Sequence, residues 1–136
     1  DGYGVEASCA RLVGRELKAD ATQFVRSAIY GADDPRATIA ALAPIVIQQA
    51  ELGDAVATEV VAQAAAKLAQ LVTDVAGKLT ELPTLLPLAL AGGVLTHCET
   101  VRQAVAKNLD KLPLEVNLQL VPEPVAGCFV LAARSG

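Results

Sequence analysis

Aromatic side chains are scarce in this sequence: two tyrosines and two phenylalanines make up 3% of 136 residues, and tryptophan is absent. Proteins that bind single-stranded nucleic acid stack the bases on aromatic rings, so this composition argues against such a surface. The formal charge of −4 argues in the same direction, because nucleic acids and anionic membranes both attract basic faces. The sequence therefore predicts no nucleic-acid partner.

Cysteine is also rare. The three cysteines, Cys9, Cys98 and Cys128, are far apart, odd in number and never arranged as CxxC. Reduced thiols in a cytoplasmic protein fit this pattern better than a disulfide framework or a zinc site. The first residue is Asp1 rather than Met, which predicts a piece of a longer protein.

No stretch is free enough of charge to predict a membrane span. The longest apolar region, residues 55–79, carries four charged side chains: Glu59, Lys67, Asp74 and Lys78. Charges of that density are costly in hydrocarbon. Together with the absence of a recognisable signal peptide, this predicts a cytoplasmic protein without a membrane partner.

Apolar residues dominate instead, at 53% against 19% charged. Much of the excess is Ala, Leu and Val, which fill closely packed helices and buried parallel strands. The length suits one domain with a core of its own. We expect a single incomplete domain over residues 1–136, with a helical part at 1–80 and an α/β part at 81–136.

The helical part contains three stretches with helical spacing of apolar residues, at 5–17, 21–30 and 55–79. The last is the longest. Its polar side chains fall at intervals of four, four, three, four and four residues: Glu59, Gln63, Lys67, Gln70, Asp74 and Lys78. This is one narrow stripe, so the pattern predicts a mostly buried helix that packs on a sheet.

Proline, glycine and aspartate mark where these helices begin and end. Asp34-Pro35 is a typical helix start, with a capping carboxylate before the proline. Pro44 predicts a break, because a proline inside a helix costs about 3 kcal/mol. Gly53 is expected to end one helix and Asp54 to cap the next.

The α/β part predicts a strand, a glycine turn, a helix, a second strand and a last helix, which together form a βαβ unit. The apolar run 85–91 is the first strand, expected to be buried. The remaining elements are a helix from Thr96 or Glu99 to about Leu109, a strand at 114–121 and a helix at 125–133.

Gly92-Gly93 is the one segment with a definite chemical use. It follows a parallel strand, where α/β folds place their ligands. Two residues without Cβ let a flat ring or a phosphate lie against the backbone, and the next helix offers free N–H groups. The alternative is a tight turn in which the glycines only supply unusual dihedral angles.

Other candidates have simpler interpretations. His97 could touch a nucleotide, but a surface or capping role suits a lone histidine better. Cys98 beside it does not define a nucleophile. The pair Asp33-Asp34 could suggest a metal, although Asp34 already has a capping role. Gly127 is expected to allow close packing of the last helix on a neighbour.

Five segments, in this order, resemble the C-terminal half of the BadF/BadG/BcrA/BcrD ATPase family, which includes N-acetylglucosamine kinases. The segments are FVRSAIYG (24–31), RATIAALAPIV (36–46), AELGDAVATEVVAQAA (50–65), LALAGGVL (88–95) and PVAGCFVLA (124–132). The resemblance implies the C-terminal lobe of an actin-like ATPase (ribonuclease H-like) fold, made of long buried helices and a βαβ unit. LALAGGVL resembles the family's adenosine motif, which implies that Gly92, Gly93 and Val94 lie against adenine and ribose.

Members of this family also carry an Asp-Gly-Gly-Thr type phosphate loop, a catalytic aspartate and a GDEGSG-like loop, and none of these occurs here. The resemblance therefore implies the adenosine side of an ATP-dependent sugar kinase for an amino sugar such as N-acetylglucosamine. ATP and Mg²⁺ would be bound by the parent protein, with the metal ligands outside this chain. The chain alone is expected to be inactive, with no catalytic residue, and to contact a missing N-terminal lobe or itself.

Two alternatives remain open. Some family members are ATPases that activate a 2-hydroxyacyl-CoA dehydratase or benzoyl-CoA reductase and hold an iron–sulfur cluster with interface cysteines. The three cysteines here do not resemble that arrangement. The second alternative is a non-enzymatic helical interaction module, in which the glycine turn is purely structural.

Overall fold

The structure, a computed structural model, describes residues 12–13, 15–16 and 22–134. Contacts divide the chain into two compact units, Asp1–Ala64 and Ala65–Gly136, each described below by itself. Most of the helix predicted over residues 5–17 lies outside the described residues, although residues 12, 13, 15 and 16 are helical.

The first unit is helical throughout its described elements. Helix α1 covers Thr22–Tyr30, α2 covers Pro35–Ala40 and α3 covers Ala43–Glu51. The fourth helix, α4, covers Ala55–Ala76 and continues into the second unit.

The predicted helix start at Asp34 and the predicted break at Pro44 are both confirmed. The Asp34 Oδ1 atom accepts the N–H groups of Arg36 and Ala37 at 3.0 and 3.1 Å and so caps α2. The break at Pro44 is confirmed, because α2 ends at Ala40 and Pro44 lies in the first turn of α3, where its missing N–H costs nothing.

Asp54 caps α4 from a buried position. Its side chain is 2% exposed, and its Oδ1 accepts the N–H of Ala57 at 2.9 Å. Gly53 before it has φ of 87°, a conformation that suits glycine at the end of α3. Helix end and helix start are therefore encoded by two adjacent residues.

The prediction that α4 is mostly buried is wrong. Its buried side chains form a narrow stripe made almost entirely of alanine: Ala57, Val61, Ala65, Ala69 and Ala76. Larger apolar side chains on the neighbouring face are exposed, Val60, Leu71 and Val75 among them. The helical periodicity located the polar stripe correctly. It could not show that only some of the apolar side chains of α4 pack against other residues.

The helix also ends earlier than predicted, at Ala76 rather than Leu79. Among the described residues, α4 is the single helix long and apolar enough, by length and composition, to cross a membrane. It carries Glu59, Lys67 and Asp74 within its 22 residues, and these charges disfavour hydrocarbon.

The second unit contains the βαβ arrangement that the sequence predicts. Strand β1 (Leu85–Leu90) is followed by a short helix α5 (Gly93–His97), helix α6 (Glu99–Leu109), strand β2 (Glu115–Leu120) and helix α7 (Ala126–Arg134). The two strands pair in parallel, from Leu85 opposite Glu115 to Leu90 opposite Leu120. The described part of the chain is thus a helix-rich α/β protein with a small parallel sheet.

Helix α6 supplies much of the core of this unit. Val101, Val105 and Leu109 recur every four residues, lie on one side of α6 and are buried. Leu90 at the end of β1 and Cys98 at the start of α6 are buried as well. The expectation of a buried β1 is wrong for most of its length, since exposed and half-buried residues alternate up to Leu90.

Pro87 lies inside β1 without disturbing the pairing. The N–H of Val121 donates to the Leu90 carbonyl at 2.9 Å, so Leu90 turns its polar groups toward β2. Alternate residues of a parallel strand do the same, which turns the backbone of Pro87 to the opposite edge. Its missing N–H therefore removes no hydrogen bond between β1 and β2.

Candidate functional site

The Gly92–Gly93 turn joins the carboxyl end of β1 to the first residue of α5. Gly92 has φ of 93° and ψ of 152°, which a residue with a side chain rarely adopts. Gly93 is the first residue of α5. A Cβ added to either glycine would meet no atom of the other described residues within 4 Å beyond its own turn, so both open onto space that the described chain leaves free.

The start of α5 presents backbone N–H groups that can donate hydrogen bonds. The first N–H groups of a helix have no partner inside it, and no side chain caps this end. Because α5 follows a strand directly, these donors lie at the carboxyl-end edge of the sheet, beside the free space at the glycines. The arrangement offers a surface against which a flat group could lie and polar groups that could hold its hydroxyl or phosphate oxygens.

Two side chains fix the position of α5. The Thr96 hydroxyl donates to the carbonyls of Gly92 and Gly93, at 2.9 and 3.3 Å. Arg102, reaching from α6, donates from Nη1 to the carbonyls of Leu95 and Thr96, both at 2.9 Å. A five-residue helix has little stability by itself, so these bonds hold the turn in place.

The sequence analysis missed Arg102. Arg102 lies on α6, seven and six residues after Leu95 and Thr96, and this spacing crosses from one helix to the next and gives no local pattern.

Val94, the third predicted adenosine contact, is exposed in the first turn of α5. It therefore adjoins the two glycines with its side chain accessible. His97 is exposed in the last turn of α5, about 6 Å along the helix from Gly93. Cys98 is buried, which withdraws its thiol from any ligand at this edge. Cys9 lies outside the described residues.

Glu123 is a second residue that the sequence analysis did not single out. It follows β2 between Pro122 and Pro124 and is exposed. Since β1 and β2 are parallel, the loop after β2 emerges at the same edge of the sheet as the glycine turn. The signal for Glu123 was its place just after a predicted strand, where ligand-binding carboxylates occur in α/β folds.

A cleft of about 250 Å³ lies on the α6 side of the sheet near this edge. Its lining combines three leucines of the strands with three polar side chains and one alanine of α6: Leu90, Leu118, Leu120, Glu99, Arg102, Gln103 and Ala106. Small-molecule sites usually measure about 300–1,000 Å³, so this cleft could hold only part of a nucleotide.

The remaining candidates have structural roles or none. Asp34 caps α2 and Asp33 is exposed next to it. The close packing expected at Gly127 is not found in the part of the chain that the structure describes, because a Cβ added there would meet nothing within 4 Å. Across residues 12–13, 15–16 and 22–134, no group of three or more His, Cys, Asp or Glu side chains could hold a metal ion.

Comparisons of the chain with protein-family models, with curated proteins and with solved structures give no match.

Proposed function

We propose that the Gly92–Gly93 turn contacts the adenine and ribose of a bound nucleotide. The observation that carries this proposal is the free space beside Gly93. Gly92 has a conformational reason to be glycine, since its φ is 93°. Gly93 is the first residue of a helix, and no described atom lies within 4 Å of its added Cβ. Neither backbone strain nor packing within the described residues explains a glycine there, and close approach of a ligand would account for it. Gly127 has the same open space, so the position of Gly93 at the carboxyl end of a parallel strand is what favours a ligand here.

The wider proposal is that this chain forms the adenosine side of an ATP-dependent sugar kinase that acts on N-acetylglucosamine or a related amino sugar. It rests on the resemblance of the five segments to that family. ATP with Mg²⁺ would bind in the complete protein, with the Mg²⁺ ligands and phosphate loops on the missing lobe. The acids Asp34 and Asp54 cap helices, and Glu59 and Asp74 accept hydrogen bonds from glutamines on α4. The proposal therefore assigns the proton acceptor for the sugar hydroxyl to the missing lobe.

Nucleotide binding tests the proposal most directly. We expect the 136-residue chain to bind ADP weakly, with chemical-shift changes at residues 91–96, because adenosine contacts remain while phosphate contacts are missing. Gly93→Val should abolish these shifts by placing a branched side chain where the ring lies. Gly127→Val is the matched control, since Gly127 is also a helical glycine with open space at its Cβ.

Two results would contradict the adenosine assignment. One is unchanged ADP binding by Gly93→Val in a variant that remains folded by circular dichroism. The other is an equal loss of binding in Gly127→Val. Substitution of Gly92 is a poorer test, because any side chain there is strained and could disturb the turn by itself.

The kinase part is tested separately. The chain alone should show no turnover with ATP and N-acetylglucosamine, and mixing it with its natural upstream half should restore activity. Turnover by the chain alone would contradict the assignment of the catalytic groups to the missing half. If the reconstituted protein hydrolyses ATP but phosphorylates no sugar, and contains iron, the activator-ATPase alternative is favoured.

A helical interaction module is the second candidate, because α7 is unusually exposed. The exposed fraction is 74% for Phe129 and 52% for Val130 within the helix, and 65% for Val125 just before it. Apolar side chains exposed together usually have a partner. This candidate predicts that ADP produces no shifts at residues 91–96.

A further inference from the structure

Two opposite charges line the cleft on the α6 side of the sheet without pairing with each other. Glu99 and Arg102 are three residues apart on α6, a spacing at which helical side chains are neighbours. In the described part of the chain they have separate partners. Glu99 Oε1 accepts from Gln103 Nε2 at 3.0 Å. Arg102 Nη1 donates to two backbone carbonyls of α5, both at 2.9 Å. Both charges therefore remain available to a ligand in the cleft.

Arg102 keeps the edge of its guanidinium that best fits a carboxylate. Its two hydrogen bonds both start from Nη1, and no described residue accepts from Nε or Nη2. Among the described residues no unpaired side-chain nitrogen or oxygen is buried, so solvent reaches this edge. The N–H groups of Nε and Nη2 are parallel and match the two oxygens of a carboxylate. Because the carbonyls of α5 already hold the guanidinium, little further ordering is needed when a ligand binds.

Three leucines form the apolar wall of the same cleft. Leu90 and Leu120 lie opposite each other at the carboxyl ends of β1 and β2, and Leu118 precedes them on the same face. Leu120 is 48% exposed, so an apolar group in the cleft would cover a large hydrophobic side chain. The cleft measures about 250 Å³, below the range of about 300–1,000 Å³ for drug-sized ligands. Its ligand therefore has to be small and partly apolar.

We propose that this cleft binds a free α-amino acid with a branched apolar side chain, such as free leucine or valine. The carboxylate of the ligand pairs with the Nε and Nη2 edge of Arg102. Its ammonium group pairs with Glu99, and its side chain lies against the three leucines. A simple anion would have Glu99 as a neighbouring like charge, and a simple cation would meet Arg102, whereas a zwitterion matches both. The proposal goes beyond nucleotide binding and does not rest on it.

Binding is expected to be weak, with a dissociation constant on the order of 1 mM. Glu99 and Gln103 are exposed, so the cleft is open to solvent on that side, and exposed ion pairs contribute little. Burial of the apolar side chain should supply much of the selectivity. Free leucine should therefore bind about tenfold more tightly than free glycine.

Titration followed by nuclear magnetic resonance tests the site on the 136-residue chain. Free leucine, added to about 50 mM, should shift the amides of residues 99–106 and 118–120 and the Nε–H signal of Arg102. Leucinamide, which lacks the carboxylate, should bind about tenfold more weakly than free leucine. N-acetyl-leucine, which lacks the ammonium group, should bind about threefold more weakly.

Two variants assign these effects to residues. Glu99→Gln should weaken free leucine about threefold and leave N-acetyl-leucine no weaker than before, because only the ammonium group contacts Glu99. Ala106→Leu should abolish binding by filling the cleft without changing either charge. Ala104→Leu, also at a half-buried position of α6 but outside the cleft lining, is the matched control. Arg102 stays unchanged in these variants because it also holds α5, and leucinamide tests its role instead.

Four results would overturn the proposal. The first is the absence of shifts at about 50 mM free leucine, a concentration well above the expected dissociation constant. The second is N-acetyl-leucine binding as tightly as free leucine, which would indicate a simple anion site. The third is free glycine binding as tightly as free leucine, because the leucine wall would then have no role. The fourth is unchanged binding by Ala106→Leu in a variant that remains folded by circular dichroism.

Discussion

Replacing Asp54 with alanine should lower the free energy of unfolding by about 2 kcal/mol. Loss of an N-terminal cap costs about 0.5–2 kcal/mol, and the upper end applies where the freed N–H is buried. Asp54 is 2% exposed, and it caps the 22-residue helix α4 by accepting the Ala57 N–H at 2.9 Å. Water cannot easily replace this oxygen. For a chain of this size the melting temperature should fall by about 8 °C.

Asp34 provides the matched comparison within the same chain. It makes the same kind of cap, at 3.0 and 3.1 Å, but on an exposed helix of six residues. Water can solvate the freed N–H groups there, so Asp34→Ala should cost about 0.5 kcal/mol. Urea unfolding followed by far-ultraviolet circular dichroism measures both variants.

Asp54→Asn separates the cap from simple burial. Asparagine is as good a capping residue as aspartate, and it should retain most of the lost stability. The reasoning would be refuted if Asp34→Ala were as destabilising as Asp54→Ala. It would also be refuted if Asp54→Asn were as damaging as alanine, because the capping oxygen would then not be the source of the stability.

Two smaller substitutions test the glycine turn. Gly92→Ala should lower the free energy of unfolding by about 1 kcal/mol, because the φ of Gly92 is 93°. Gly93→Ala should leave the free energy of unfolding unchanged or raise it slightly. Equal losses for the two variants in urea unfolding would contradict the assigned conformations. Arg102→Ala removes two hydrogen bonds to carbonyls of α5 and should speed amide hydrogen exchange in α5 about tenfold. Lys107→Ala, on α6 like Arg102, is the control. Unchanged exchange in Arg102→Ala would mean that other contacts hold α5 in place.

Local chemistry made the capped helix starts and the break before α3 predictable. The capping oxygens of Asp34 and Asp54 act on N–H groups two or three residues away, so sequence neighbours contain the whole interaction. Pro44 acts through its own missing N–H and lies in the first turn of α3, as predicted. The order strand, glycine turn, helix, strand, helix followed from similar short-range punctuation.

Interactions between distant residues could not be read from the sequence in the same way. Arg102 is tied to α5 only because α6 folds back beside it. Gly127 was expected to mark a close helix contact, yet it faces open space. A glycine in the sequence shows only that a side chain is absent. The fold is needed to tell whether a neighbouring residue, a ligand or nothing occupies the space that a side chain would fill.

Helix α4 shows where periodicity stops being informative. The intervals correctly separated a polar stripe from an apolar remainder, because that distinction depends only on the helical repeat. They could not divide the remainder into an alanine face that is buried and a valine and leucine face that is exposed. Alanine allows close approach of a neighbouring backbone, while the larger side chains add more contact area, and either face could have been the one turned inward. The free energy of burying about four such side chains, at about 25 cal/mol per Å², is therefore still available to whatever covers this face.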